Sequence, residues 1–253
     1  MSKRPSPQTA PIASPEFARP YTTVDVVIFT VLDETLQVLL VRRPSDAGDP
    51  FPDSWALPGG FVNLELDPDL FTCARRKLQE KTGLRSPYLE QLGSWGSATR
   101  DPRGWSATHV YFALIPARDV TFSRGGNAAD VAWFKVDRRP PRPRLAFDHQ
   151  EILAAAVERL RSKVEYTSLP AFLLPEPFTL PQLQRIFEVV LGRPVDKSGF
   201  RTRMLAADFL TEAGLVTADS KRPPMSYRLK HRDRTIFFPR PLTPPSREGA
   251  KHR

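Results

Sequence analysis

Cysteine occurs once in this chain of 253 residues, at Cys73. One thiol cannot close an internal disulfide or build a cysteine-cluster metal site, and such usage fits a reducing cytosol. Long apolar runs are missing too, since none approaches the ~20 residues of a membrane-spanning helix. The N-terminal stretch MSKRPSPQTAPIASPEF is polar and proline-rich with no apolar centre. It does not read as a secretory signal, and residues 1–20 are expected to be a disordered lead-in. Acidic charge is scarce in one region only. Residues 1–165 hold 22 Lys+Arg against 20 Asp+Glu, whereas residues 166–253 hold 15 against 8, so +7 of the net +9 lies in the last third. A concentrated basic segment selects polyanions, nucleic acid being the commonest. It lacks the long amphipathic helix with which a protein lies on an anionic membrane.

The length exceeds a usual single domain, and two are expected. Val24–Thr30 and Leu36–Arg43 are aliphatic and β-branched and flank Asp33–Glu34–Thr35, which predicts a strand pair. A Pro-, Gly- and Asp-rich loop follows over 44–58. Leu70, Cys73, Ala74 and Leu78 are spaced as on a helix that Gly83 ends. Strands are expected at 88–95, 105–115 and 131–136, and an amphipathic helix at 147–164. Together these make an α+β domain over 21–165. Residues 166–178, with three prolines, read as the inter-domain linker. Thr179 then caps a helix to about Leu191, and Asp196 opens a second one expected to stop near Gly214. A hairpin with a basic tip at Lys221–Arg222 completes a second domain over 179–240, and 241–253 is expected to be a disordered basic tail.

Trp55–Val62 reads WALPGGFV and Ala74–Leu84 reads ARRKLQEKTGL. Together they resemble the Nudix box: a glycine, five residues, a glutamate, seven residues, then Arg-Glu-hydrophobic-x-Glu-Glu-x-Gly-hydrophobic. In that pattern, glutamates on successive helical turns converge to hold divalent metal at a pyrophosphate. Arg76, Leu78, Glu80, Gly83 and Leu84 match. Lys77 and Lys81 stand where two of the glutamates belong. The upstream glutamate has no secure counterpart: the interval from Gly60 to Arg76 is two residues too long, although Glu65 lies near. Protonated lysines repel a metal, so the pattern argues for binding without hydrolysis.

With SPYLEQLGSWG, RDPRGW, LAFDHQEIL and FTLPQLQRIFEVVLGRPVDKSGFRTRML, the chain from about Thr22 to Lys230 resembles the Nudix-related transcriptional regulators of NAD metabolism, the NrtR-like family. The resemblance implies an N-terminal Nudix-type α/β/α sandwich and a C-terminal winged helix-turn-helix. It further implies a cytoplasmic homodimer that represses NAD synthesis or salvage operons. ADP-ribose or a related NAD metabolite would release it from a palindromic double-stranded DNA operator. No catalytic residue, resident cofactor, metal or membrane contact is expected. The alternatives are a working Nudix hydrolase, with Glu80 and Glu65 on metal, and an RNA-binding or adaptor protein that uses only its basic tail.

The residues suggest where each ligand would sit. Arginine forks suit a pyrophosphate, and the candidates are Arg42, Arg43, Arg76, Arg100 and Arg103. Gly59 and Gly60 admit close backbone approach, Phe61, Trp95 and Trp105 are candidates to stack on a base, and Glu80 belongs to the same box helix. His149 and His109 read as structural hydrogen-bonders. In the second domain Phe200, Met204 and Leu205 are expected to face inward. Lys197, Ser198, Arg201, Thr202 and Arg203 are then left for the major groove, with Lys221, Arg222 and Arg228 on a wing against the backbone or minor groove.

Overall fold

The computed structural model describes residues 19–83, 88–117, 130–136, 144–216 and 223–238. Residues 1–18, Leu84, Lys221, Arg222 and the tail from 239 lie outside that set, so the expectations placed on them lie outside it too. Strand β1 (Tyr21–Leu32) turns into β2 (Thr35–Arg42) through Asp33 and Glu34, whose φ values are 49° and 55°. A two-residue turn with both residues left-handed matches the twist of a hairpin. Side chains of β1 alternate between two cores: Val24, Val26 and Ile28 face one and Val27 and Phe29 the other.

The remaining strands of this sheet are β3 (Trp55–Ala56), β4 (Gly59–Phe61), β5 (Leu89–Ser97), β6 (Ser106–Leu114) and β7 (Asp130–Lys135). Their order is β3-β2-β1-β6-β5, with β1 parallel to β6 and β7 paired to β2. One irregularity matters for function. The far end of β1 pairs with β2, from Phe29 to Leu32, whereas its near end pairs with β4, from Thr23 to Asp25. That split opens the sheet between Arg42 and Gly59.

Helix α1 (Leu70–Thr82) is capped by Asp69, which accepts from Thr72 N at 2.6 Å, and is ended by Gly83 at φ 71°. It lays Cys73, Ala74 and Leu78 on one face of the sheet. Helix α2 (His149–Val164) lays Ile152, Leu153, Ala156, Leu160 and Val164 on the other. The first domain is therefore an α/β/α sandwich.

In the second domain, β8 (Phe178–Thr179) leads into α3 (Leu180–Leu191), α4 (Lys197–Ala206), β9 (Leu210–Leu215) and β10 (Met225–Leu229). Thr179 and Gln182 form a capping box, and Asp196 caps α4 through Gly199 N at 2.6 Å. The sheet order is β8-β10-β9, giving a winged helix. Helix α4 is shorter than its apolar spacing implied. It ends at Ala206 because Asp208 turns left-handed at φ 54°, which sends Phe209 into the core and Leu210 into β9.

The two domains share one core. Leu169–Leu173 forms a buried 3-10 helix, and Phe172 is fully enclosed among residues of both domains. Ser168 N donates to Ile236 O at 2.9 Å and Phe238 N to Tyr166 O at 2.7 Å, so the end of the winged helix lines up beside the connection. Apolar side chains, not the prolines, decide the character of residues 166–178, since a solvated linker carries no such cluster. Phe172→Ala should therefore cost about 3–5 kcal/mol. Urea unfolding followed by fluorescence checks this, and a loss below about 1 kcal/mol would place the segment outside the shared core.

Candidate functional site

A cleft of about 960 Å³ occupies the split in the sheet, walled by β4, the loop that follows it, α1, the end of β2 and the turn at 100–103. Its floor is polar and buried. Thr108 Oγ1 donates to Asp25 Oδ2 at 2.7 Å. Leu57 N donates to His149 Nδ1 at 2.9 Å, so the ring proton belongs on Nε2, which faces Asp25 Oδ2 at 3.5 Å. Burial alone would raise the Asp25 carboxyl. His149, Thr108 and Arg100 outweigh it and hold the group below the ordinary carboxylate range. Gly59 is required by this floor, because a Cβ there would lie 1.9 Å from Asp25 Oδ1. Arg100 forks onto Asp148 with both bonds at 2.8 Å and reaches Ser106, which seats the start of α2 against the sheet.

The wall formed by α1 carries the box residues. Asp67, with no exposed side-chain surface, receives Arg76 Nε at 2.8 Å, and Arg76 Nη1 reaches Glu80 at 2.7 Å. The Arg76 hydrogen bonds hold the Asp67 carboxyl far below its usual range, despite burial. Sequence reasoning missed Asp67, since an aspartate off the box spacing gives no motif signal. Lys77 and Lys81 share this wall. The fold family implies divalent metal here, and these residues do not fit one. Two of the required carboxylates are ammonium groups, and Glu80 is engaged by Arg76. Among the described residues no group of three or more His, Cys, Asp or Glu side chains is arranged to hold a metal ion.

Nine of the eleven expected effector residues line the cleft: Arg42, Arg43, Gly59, Gly60, Phe61, Arg76, Glu80, Arg100 and Arg103. The arginines are already partnered. Arg42 pairs with Asp53 at 3.1 Å, Arg43 with Asp49, and Arg103 with Asp101 at 2.7 Å. Trp95 and Trp105 are the exceptions. Trp105 is half exposed and stands over Gly96 on the neighbouring strand, because strand alternation from Ser106 directs it away from the floor. The aromatic faces at the cleft are Phe61, with Arg103 5.3 Å above its ring, and Phe147, with Arg43 at 4.8 Å. Phe147, at φ 55°, and the floor residues Asp25 and His149 were not foreseen as lining residues. His109 bonds Ser94 Oγ at 2.9 Å.

On α4, Phe200 and Met204 are buried, while Lys197, Ser198, Arg201 and Thr202 are exposed on one open face. Leu205, expected inward, is exposed as well. Arg203 is exposed too and also engages the domain junction. Its Nη2 donates to Glu165 O at 3.0 Å and its guanidinium lies 5.1 Å above the Phe238 ring. Position 203, adjacent to buried Met204, is rotated toward the domain junction by the 100° helical step. Arg228 is exposed on β10.

Sandwich, split-sheet cleft and box helix define a Nudix domain, here joined to a winged helix. The Nudix domain family matches residues 22–156, and the NrtR DNA-binding winged helix domain matches residues 170–229. The ADPR responsive transcriptional repressor NtrR of Acinetobacter baylyi is 43% identical over 230 residues, covering 91% of this chain and 90% of its own. The crystal structure of Shewanella oneidensis NrtR complexed with a 27mer DNA is 41% identical with a TM-score of 0.73, covering 83% of this chain and 93% of its own. The Nudix domain of the same Shewanella protein, complexed with ADP ribose, is 40% identical with a TM-score of 0.50, covering 57% and 90%. The chain belongs to the NrtR family of Nudix-related regulators.

Asp67 tests the box frame without touching the cleft floor. Its folded-state carboxyl is depressed, so its stabilisation is present above the unfolded value near 3.8 and is lost as pH falls below it. Asp67→Asn should lower stability by about 2 kcal/mol at pH 7. It should also remove that part of the acid dependence, as read by urea unfolding between pH 7 and about pH 2. An unchanged acid profile would show that the Arg76 pair contributes nothing.

Proposed function

We propose that this protein is a DNA-binding transcriptional repressor whose Nudix domain senses ADP-ribose, or a related NAD metabolite, without hydrolysing it. The observation that carries the reading is the pairing of two surfaces in one chain. One is a nucleotide-sized cleft whose metal-binding glutamates have become Lys77 and Lys81. The other is an α4 face presenting Lys197, Ser198, Arg201 and Thr202 to solvent. Similarity over 91% of the chain to a repressor named for its response to ADPR supports the same conclusion. The repressor is read as a cytoplasmic homodimer whose two winged helices meet a palindromic operator, and the controlled genes are those of NAD synthesis or salvage.

Helix α2 supplies the route between the surfaces. Its first turn is seated at the cleft by Arg100–Asp148 and by His149. Past its last turn, Glu165 receives Arg203 on its carbonyl and Arg193 on its carboxylate at 3.2 Å. Sixteen residues make a rod about 24 Å long. A ligand that shifts its seat shifts the placement of α4, and coupling of about 1–3 kcal/mol is enough to empty a marginally occupied site.

The experiment is capture of sheared DNA from the source genome by the purified protein, with and without ADP-ribose. One or a few palindromic fragments, lost on adding ADP-ribose, are expected; no enriched fragment would sink the reading. On the recovered site, Arg201→Ala should weaken binding by about 1–3 kcal/mol and relax base preference. Lys197→Ala should weaken all sequences alike and flatten the salt dependence. Glu65 and Glu80 both border the cleft, which favours a hydrolase as the second reading. Repression without hydrolysis predicts no Mg²⁺-dependent phosphate-bond cleavage of ADP-ribose, and turnover near 1 s⁻¹, ordinary for an enzyme, would overturn it.

A further inference from the structure

We propose that Lys77 and Lys81 perform the electrostatic role that divalent metal has in a Nudix hydrolase, so that the cleft grips a diphosphate with ammonium groups and needs no metal ion. The proposal rests on the sensor reading above and names the groups that hold its ligand. Both lysines lie on the cleft face of α1, one helical turn apart, which is how the box arranges its metal-binding glutamates. Surface lysines ordinarily extend their charge into water. Lys77 does not: its side chain is 15% exposed. Its Nζ lies within the cleft beside Gly60, 3.1 Å from where a Cβ would stand. Gly60 itself sits at φ +144°, so no side chain intervenes between that ammonium and a ligand lying along the Gly59–Gly60 backbone.

Lys81 is more buried, at 8% exposure. Burial above all makes its protonated form less favourable than usual; the charge of Glu80 opposes this and that of Lys77 adds to it. Glu80 is 4.0 Å from Lys77 and is itself held by Arg76 at 2.7 Å. Two like charges one turn apart on this wall give it a local positive potential that favours an anion lying along it. A diphosphate is attracted by two ammonium groups, whereas a divalent cation is repelled by them. The charge of the wall thus selects a ligand with adjacent phosphates and excludes the ion that would activate water against them.

Calorimetric titration of the full-length protein with ADP-ribose and with ADP, each in EDTA and in Mg²⁺, tests this. Wild-type affinity should agree within about twofold in the two buffers. Lys77→Met and Lys81→Met, which keep the stem and drop the charge, should each weaken binding about tenfold. Lys77→Arg should retain it, and circular dichroism confirms that each variant folds. The double variant Lys77→Glu/Lys81→Glu should lose binding in EDTA and regain it in Mg²⁺. Wild-type binding that vanishes in EDTA, or that both methionine variants leave unchanged, overturns the lysine proposal while the sensor reading stands. If neither nucleotide binds the wild type in either buffer, the sensor reading fails and the proposal fails with it.

Discussion

The seat of α2 is the constraint on which the rest of this structure depends. Arg100 is buried and forks onto Asp148, immediately before the helix, while His149, its first residue, bonds Leu57 N and faces Asp25. A buried charge left without its partner is strongly destabilising, so this corner admits one arrangement. From it α2 covers one face of the sheet and delivers Val164 and Glu165 to the winged helix. The same contacts form the cleft floor and set the origin of the rod that reaches α4. The cleft floor and the contact with the winged helix therefore share one element, α2.

Around that seat the chain keeps the Nudix frame and inverts its charge. The pair Asp67–Arg76 survives because it fastens the loop after β4 to α1, a structural task that does not require catalysis. At the other two box positions on the cleft face of α1 stand Lys77 and Lys81. Elsewhere on the wall, arginines are balanced locally by Asp49, Asp53 and Asp101. These carboxylates offset the charge of the arginines that line the cleft.

Much of this was legible beforehand. The cap at Asp69, the glycine stop at Gly83, the capping box at Thr179 and the Asp196 cap are local signals, each resolved within one turn of chain. Arg42, Arg76 and Arg100 were expected from the chemistry of arginine and their places at a strand end, on the box helix and beside a turn, and the fold brings them to one cleft. What local spacing did not convey was the tertiary surroundings of some residues. Arg203 belongs to a basic run, yet its neighbour Met204 turns it toward Glu165. Trp105 follows an arginine-rich turn, yet just before β6 it is half exposed and lies over Gly96. Residues 166–178 looked like a linker for their prolines, while Leu169, Phe172 and Leu173 made them core.

By itself the sequence determined the two domains, their order, the placement of basic charge in the last third and the loss of the metal-binding carboxylates. Each of these depends only on residue identity and short-range periodicity, which any reader of the chain can count. The tertiary structure alone decided that Asp67 is the partner of Arg76, that Asp25 and His149 form the floor, and that α2 joins the cleft to α4. These are meetings of residues up to 124 positions apart in the chain, as His149 and Asp25 are. They are set by strand register and helix rotation, which local propensity does not encode.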